Sequence, residues 1–157
     1  MDRALTTGAV AGLVGGVALT LAMFVGRFQL GAPLLPELIA EWVFAVVPMN
    51  LFSFVVRRLG FAAKWLAFGS AVLLQVMMAT ALGVLFGSLT RRLALERLPL
   101  ALLYAMALWA LTLAVFLPLL GGGFFGTRLA APFLGAVVLL AEYQIYGLCL
   151  AAITRRR

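Results

Sequence analysis

Residues 4–26 read ALTTGAVAGLVGGVALTLAMFVG, an uninterrupted apolar run that lies between Arg3 and Arg27. About 20 such residues cross the hydrocarbon core of a bilayer as a helix, because each residue adds about 1.5 Å. A signal peptide is the alternative, but its apolar stretch is normally shorter and a small-residue cleavage site follows it. The run therefore predicts a retained membrane-spanning helix.

Three further apolar runs of spanning length follow at residues 63–87, 98–119 and 132–153. Arg91 and Arg92 follow the first of them, and the three consecutive glycines 121–123 follow the second. The predicted fold class is an all-α membrane protein with four transmembrane helices, in a single domain of residues 1–157. No soluble domain, long linker or internal repeat is visible in the sequence.

The stretch 37–56 between the first two runs is harder to assign. Pro33 and Pro36 precede it, and Pro48 and Asn50 interrupt it, so each half is too short to span a bilayer alone. We expect one or two interfacial helices, or a re-entrant element. A fifth span is the alternative, and it would move the C-terminus to the other side of the membrane.

The composition excludes an ordinary soluble domain. Of the 157 residues, 66% are hydrophobic and 11% are charged, against about 45–50% and about 25% in soluble proteins. A chain of this size cannot bury so much apolar surface by itself, so lipid must cover the excess. The net charge of +7 comes from short basic clusters between the apolar runs, which argues against nucleic acid as a partner.

The distribution of Lys and Arg predicts the orientation. With four spans, one side holds seven of the twelve, in the N-terminal segment, the 91–97 loop and the C-terminal tail, and the other side holds five. Because cytoplasmic loops carry the excess of basic residues, we expect both termini in the cytoplasm. The predicted location is the inner (cytoplasmic) membrane.

Glycines four residues apart mark the first two runs, at Gly8, Gly12 and Gly16 and again at Gly83 and Gly87. This spacing places them on one helix face, where the missing side chains let a second helix approach closely. The pattern predicts a helix-packing face. Packing within the chain and contact with a separate subunit both remain open.

Glu142 is the most unusual residue, since it lies about ten residues inside the last run. A charge at this depth costs at least ~2.5 kcal/mol on insertion scales, so the carboxyl group needs a partner or a proton. Tyr146 shares its helix face, and Gln75 in the second run is a candidate to meet both. A proton, ion or cofactor contact is one interpretation, and polar contact between helices is the other.

No catalytic or metal site is predicted. The chain has no histidine and one cysteine, Cys149, and it lacks the common nucleotide-binding, zinc and nucleophile motifs. Glu37 and Glu41 lie four residues apart, but they suit the start of a helix better than a cation site. We therefore expect no enzymatic activity and no resident cofactor.

Several short motifs together resemble a known membrane region: Pro36-Glu37-Leu38-Ile39, Val47-Pro48, Phe52, Ala63-Lys64, Phe68-Gly69-Ser70 and Ile145-Tyr146-Gly147. They resemble the multi-helix anchor that precedes the catalytic domain in bacterial molybdopterin-dependent oxidoreductases of the sulfite-oxidase type. The 157 residues contain no such catalytic domain, and a histidine expected just before the late Tyr-Gly is missing. The resemblance implies a helical unit of a membrane redox assembly, and it transfers no catalytic residue.

These observations predict a non-catalytic accessory or anchoring subunit of a bacterial membrane complex, in electron transfer or in a photosynthetic or respiratory chain. The expected partners are the lipid bilayer and other membrane subunits, with lipid, quinone or carotenoid in contact with aromatic side chains. A small homo-oligomeric transporter or channel that uses Glu142 is the competing hypothesis. A lipid-modifying membrane enzyme is a third, which the lack of histidine and of clustered polar residues disfavours.

Overall fold

The computed structural model describes residues 3–60, 62–92 and 96–155, which are helical almost throughout and contain no strand. The helices are α1 (Arg3–Leu30), α2 (Leu35–Val46), α3 (Met49–Leu59), α4 (Ala62–Arg92), α5 (Arg97–Leu111), α6 (Leu117–Leu119) and α7 (Pro132–Arg155). A π-helical turn, Thr112–Phe116, joins α5 to α6, and a 3₁₀ turn, Phe124–Gly126, precedes α7.

Four segments are long and apolar enough to cross a membrane: Leu5–Leu30, Ala62–Arg91, Arg97–Leu119 and Pro132–Thr154. The all-helical fold with four candidate spans agrees with the sequence-based prediction. The helices run past several predicted ends, since α1 continues beyond Arg27 and α4 continues beyond Gly87. A charged residue or a single glycine does not stop a helix, whereas Gly31, with φ of 64°, follows the last residue of α1.

The stretch 37–56 forms most of two short helices, α2 and α3, of 12 and 11 residues. Pro36 lies in the first turn of α2, where its missing N–H would have no helical partner anyway. Pro48 disfavours helical geometry for the residue before it, and Val47 is extended, with ψ of 126°. The proline therefore separates α2 from α3, and each helix is too short to cross a bilayer alone.

The long helices pack in the spatial order α4, α1, α7 and α5, and α2 lies against α4. Neighbours in this order are antiparallel: Gly8 of α1 lies beside Gly87 of α4, while Gly16 lies beside Ala79. Likewise Gly15 contacts Tyr146 of α7, and Gly26 contacts Glu142. The start of α1 and the ends of α4 and α7 therefore lie at one end of the bundle.

The π turn at Thr112–Phe116 has a local cause. Pro118 donates no backbone hydrogen bond, and its ring would collide with the carbonyl group four residues earlier in a regular α-helix. The chain widens by one residue just before it, so that the N–H of Leu117 bonds to Thr112 O. The apolar segment thus continues to Leu119 as one nearly continuous helical segment.

Candidate functional site

The interface between α1 and α4 is built from small residues, and we call Gly8, Gly12, Gly16, Ala79 and Gly83 the glycine interface. A Cβ atom built on Gly83 would lie 2.5 Å from Gly8 O, and one built on Gly12 would lie 2.7 Å from Ala79 O. Such distances leave no room for any side chain. The structure thus places these glycines between two helices of the same chain.

Gly87, the last glycine of the predicted packing face, also lies here. Its Cα is 3.2 Å from a Cβ placed on Gly8. Gly15 turns to the other neighbour, because a Cβ at this position would lie 2.8 Å from the Tyr146 ring. Adjacent glycines of α1 therefore admit α4 on one side and α7 on the other, which makes α1 the centre of the bundle.

A cleft of about 460 Å³ opens between α4 and α5, which touch each other only slightly. This volume is typical of sites for small molecules. Its walls are almost entirely apolar, and exposed side chains such as Leu74, Met78 and Leu111 bring it to the outer surface of the bundle. The hydrogen-bonding side chains in the lining are Trp42, Gln75, Thr112, Tyr143 and Tyr146.

Gln75 is the amide in this wall, and it is 7% exposed. Its Nε2 donates to Thr20 Oγ1 at 3.1 Å and to Met23 Sδ at 3.3 Å, both on α1. Its Oε1 is buried and has no hydrogen-bond partner in the part of the chain that the structure describes. An unpartnered buried carbonyl group costs free energy.

Two tyrosines of α7 complete the polar part of the cleft. Tyr143 Oη lies 2.6 Å from Thr112 Oγ1, in the π turn. Tyr146 Oη donates to Ala79 O of α4 at 2.6 Å. Both rings are buried, and each hydroxyl group makes one short hydrogen bond within the protein. Because π turns often occur at functional sites, the position of Thr112 in one supports the cleft as the candidate site.

Glu142 lies apart from this cleft. Its side chain is 3% exposed and points to Gly26 of α1, where an added Cβ would lie 2.5 Å from Oε1. Neither carboxylate oxygen has a hydrogen-bond partner among the described residues. The structure therefore brings Gln75 and Tyr146 to one cleft, while Glu142 stands alone between α1 and α7.

The two acidic residues of α2, Glu37 and Glu41, have different surroundings. Glu37 forms an ion pair with Arg27 of α1, with Nε and Oε2 3.0 Å apart, while Glu41 is exposed. No three His, Cys, Asp or Glu side chains within the described ranges are close enough together to hold a metal ion. The described side chains thus form an apolar cleft whose polar groups are held by hydrogen bonds within the bundle.

Sequence reasoning located Gln75 and Tyr146 but missed their partners. Thr20 and Thr112 lie inside apolar runs, where a threonine is a signal for an interhelical hydrogen bond. The sequence does not indicate the ion pair of Arg27 with Glu37, because the two residues lie ten positions apart on either side of a helix break. The cleft itself has no linear signature, since its lining comes from separate helices.

Comparison with known protein families, curated proteins and solved structures gave no match for this chain. The resemblance to a molybdopterin-enzyme membrane anchor stays a prediction.

Proposed function

We propose that this chain is a non-catalytic accessory or anchoring subunit of a bacterial membrane complex, and that its α4–α5 cleft holds a lipid-class molecule. The observation that carries the proposal is the cleft: it has the size of a ligand site, apolar walls and a mouth on the outer surface. A molecule dissolved in the bilayer would enter it between two helices. Among the described residues of the lining, Gln75, Tyr143 and Tyr146 already bond within the bundle, and we expect the ligand to be held rather than converted.

The proposed setting is the cytoplasmic membrane, with both chain termini in the cytoplasm and α2 and α3 at the opposite interface. The bundle supports a common side for the termini, because α1 begins where α4 and α7 end. Arg91 and Arg92 at the end of α4 and Arg97 at the start of α5 belong to the same end. Electron-transfer complexes are the class that the sequence resemblance favours, and lipid-soluble quinones and carotenoids are the molecules that such complexes hold.

Purification from the native membrane in mild detergent tests the proposal. We expect larger partner subunits to elute with the chain in fixed stoichiometry, and one lipid-class molecule to be enriched over the bulk lipid in its organic extract. The enriched molecule should be lost from a Leu74→Trp variant, which fills the cleft, and kept in Leu73→Trp, where the exposed neighbour lies outside the lining. A homo-oligomer that carries only bulk lipid would overturn the proposal.

A small transporter is the second candidate, and one observation favours it. Glu142 is a buried carboxyl group without a hydrogen-bond partner in the described part of the chain, and such residues often belong to proton or ion paths. Purified protein in sealed vesicles should then show a proton or ion flux that Glu142→Gln abolishes. Absence of flux in the wild type, or equal flux in both, would exclude this role.

A further inference from the structure

A surface apart from the cleft concentrates positive charge where α3 meets α4. We call Arg57, Arg58 and Lys64 the basic cluster, and all three side chains are exposed. Gly60, with φ of 54°, lies between the two helices, so the three cations stand on either side of a single turn. None of the three forms an ion pair with another described residue, and the sequence from 42 to 95 contains no Asp or Glu.

The two guanidinium groups of the cluster are positioned by α3 itself. Arg57 Nε donates to Ser53 O at 3.2 Å, which leaves its two terminal nitrogens for an anion. The Cζ atom of Arg58 lies 5.7 Å from the centre of the Phe54 ring, in cation–π contact. Guanidinium groups bind phosphate through two parallel hydrogen bonds, so an oxyanion of this shape suits the cluster.

Exposed apolar side chains surround these charges. Phe54 is 55% exposed, Leu59 is 45% exposed and Trp65 is 66% exposed. The candidate span of α4 begins at Ala62, so the cluster lies at the end of a span, where head groups border the hydrocarbon. Tryptophan and basic residues are enriched at this level of a membrane. A phospholipid provides both a phosphate for the arginines and acyl chains for the apolar side chains, whereas an acidic peptide or a nucleic acid provides only the charge.

We infer that the basic cluster is a docking site for the head group of an anionic phospholipid of the surrounding membrane. The lipid phosphate binds Arg57 and Arg58, Lys64 adds positive charge, and the acyl chains cover Phe54 and Trp65. A zwitterionic phospholipid has the same phosphate, but its ammonium group cancels the net charge that attracts the cluster. The inference does not depend on the occupant of the α4–α5 cleft, so either proposal can fail without the other.

Trp65 provides a local reporter, because it directly follows Lys64. The chain has three tryptophans, and Trp42→Phe/Trp109→Phe leaves only this one. The full-length variant is reconstituted in vesicles of dioleoylphosphatidylcholine that contain an equal fraction of either brominated phosphatidylglycerol or brominated phosphatidylcholine. Bromine on the acyl chains quenches a tryptophan that the lipid touches. We expect the association constant from quenching to favour phosphatidylglycerol by roughly fivefold, the effect of about one surface cation.

The charge of the cluster is tested by two matched variants. Arg57→Gln/Arg58→Gln in the same background should bring the ratio of the two association constants close to one. Arg97→Gln/Arg128→Gln removes the same charge from two exposed sites outside the cluster and should keep the original ratio. Because salt screens surface charges, the preference should also shrink at about 1 M ionic strength.

Three outcomes would overturn the inference: equal quenching by the two lipids before any arginine is changed, a preference that survives Arg57→Gln/Arg58→Gln, or an equal fall in both arginine variants. Trp65 that neither lipid quenches would show that protein covers this surface, and would overturn it too. If the single-tryptophan background does not fold, detergent extraction of the otherwise unaltered chain from unbrominated mixtures of the two lipids replaces the fluorescence. The ratio of retained lipids, with and without the arginine changes, then gives the same comparison.

Discussion

Helix α4 packs differently against its two neighbours, α1 and α5. Towards α1 it presents Ala79 and Gly83 in the glycine interface, where the backbones themselves are in contact. Towards α5 it presents Leu74 and Met78, and the two helices stand apart around a cleft. Within a bilayer, close packing and not water drives helices together, so small residues specify contact while large apolar residues suit lipid or ligand. One helix thus forms a close-packed interface on one side and a wall of the cleft on the other.

The largest effect on stability should come from adding one methyl group in the glycine interface. Gly83→Ala places a Cβ atom against the backbone of Gly8 and Gly12, which cannot rotate away. We expect a loss of about 3 kcal/mol in the free energy of unfolding, the upper end for overpacking. Titration with a denaturing detergent, followed by circular dichroism, measures it.

Gly69→Ala is the matched control, since it is the same change in the same helix. Nothing lies within 4 Å of a Cβ at Gly69, and alanine favours helix by about 1 kcal/mol over glycine. The control should therefore be neutral or stabilising. Equal destabilisation of both variants would show that the two faces of α4 do not differ in packing.

A second change probes the neighbouring interface, between α1 and α7. Glu142→Leu removes a carboxyl group whose oxygens have no hydrogen-bond partner among the described residues. Since an apolar side chain of similar size carries no such cost, we expect a gain of about 2 kcal/mol in the free energy of unfolding. A loss of stability in the same denaturation assay would instead reveal a partner for the carboxyl group in the intact assembly.

A smaller effect is expected where α7 bonds to α4. Tyr146→Phe deletes the hydrogen bond to Ala79 O and keeps the ring against Gly15. Interhelical hydrogen bonds in membranes average about 0.6 kcal/mol, so the unfolding free energy should fall by this amount. A loss comparable to that of Gly83→Ala would mean that hydrogen bonding, rather than close packing, holds α4 in place.

The smallest change in stability is expected on the side of α4 that faces the cleft. Leu74→Trp enlarges a side chain that is 47% exposed at the edge of the cleft, so it meets free space rather than backbone. We expect the free energy of unfolding to stay within about 0.5 kcal/mol of the wild type. A melting curve lowered as far as that of Gly83→Ala would show that the cleft closes in the folded protein.

The four spans were predictable because uninterrupted apolar length is a strong signal for membrane helices. The break at Pro48 was also predictable from the missing N–H and the restricted preceding residue. The π turn was not, since Pro118 lies in a run that otherwise reads as one regular helix. Pro118 shows where the helix must adjust, but the sequence does not show that the adjustment is a π turn rather than a kink.

The candidate site was only partly predictable. Spacing by four put Gly8, Gly12 and Gly16 on one face, but it did not say which helix they would meet. Because α1 and α4 are apolar on all sides, no polar stripe indicates which way either helix is rotated in the bundle. The partners of Gln75 depend on that rotation, and so does the isolation of Glu142 from Tyr146 despite their shared helix.

The exposed apolar side chains at the edge of the cleft have a consequence for how occupancy by the proposed ligand is measured. If the cleft holds a lipid-class molecule, as proposed, a ligand that enters past the exposed Leu74, Met78 and Leu111 comes from the membrane phase and not from the aqueous buffer. Occupancy then follows the mole fraction of the ligand among the lipids, and dilution with water leaves it unchanged while dilution with lipid or detergent lowers it. The rate of exchange is set by two-dimensional diffusion in the leaflet, so a molecule that is scarce in the cell but concentrated in its membrane can still saturate the protein.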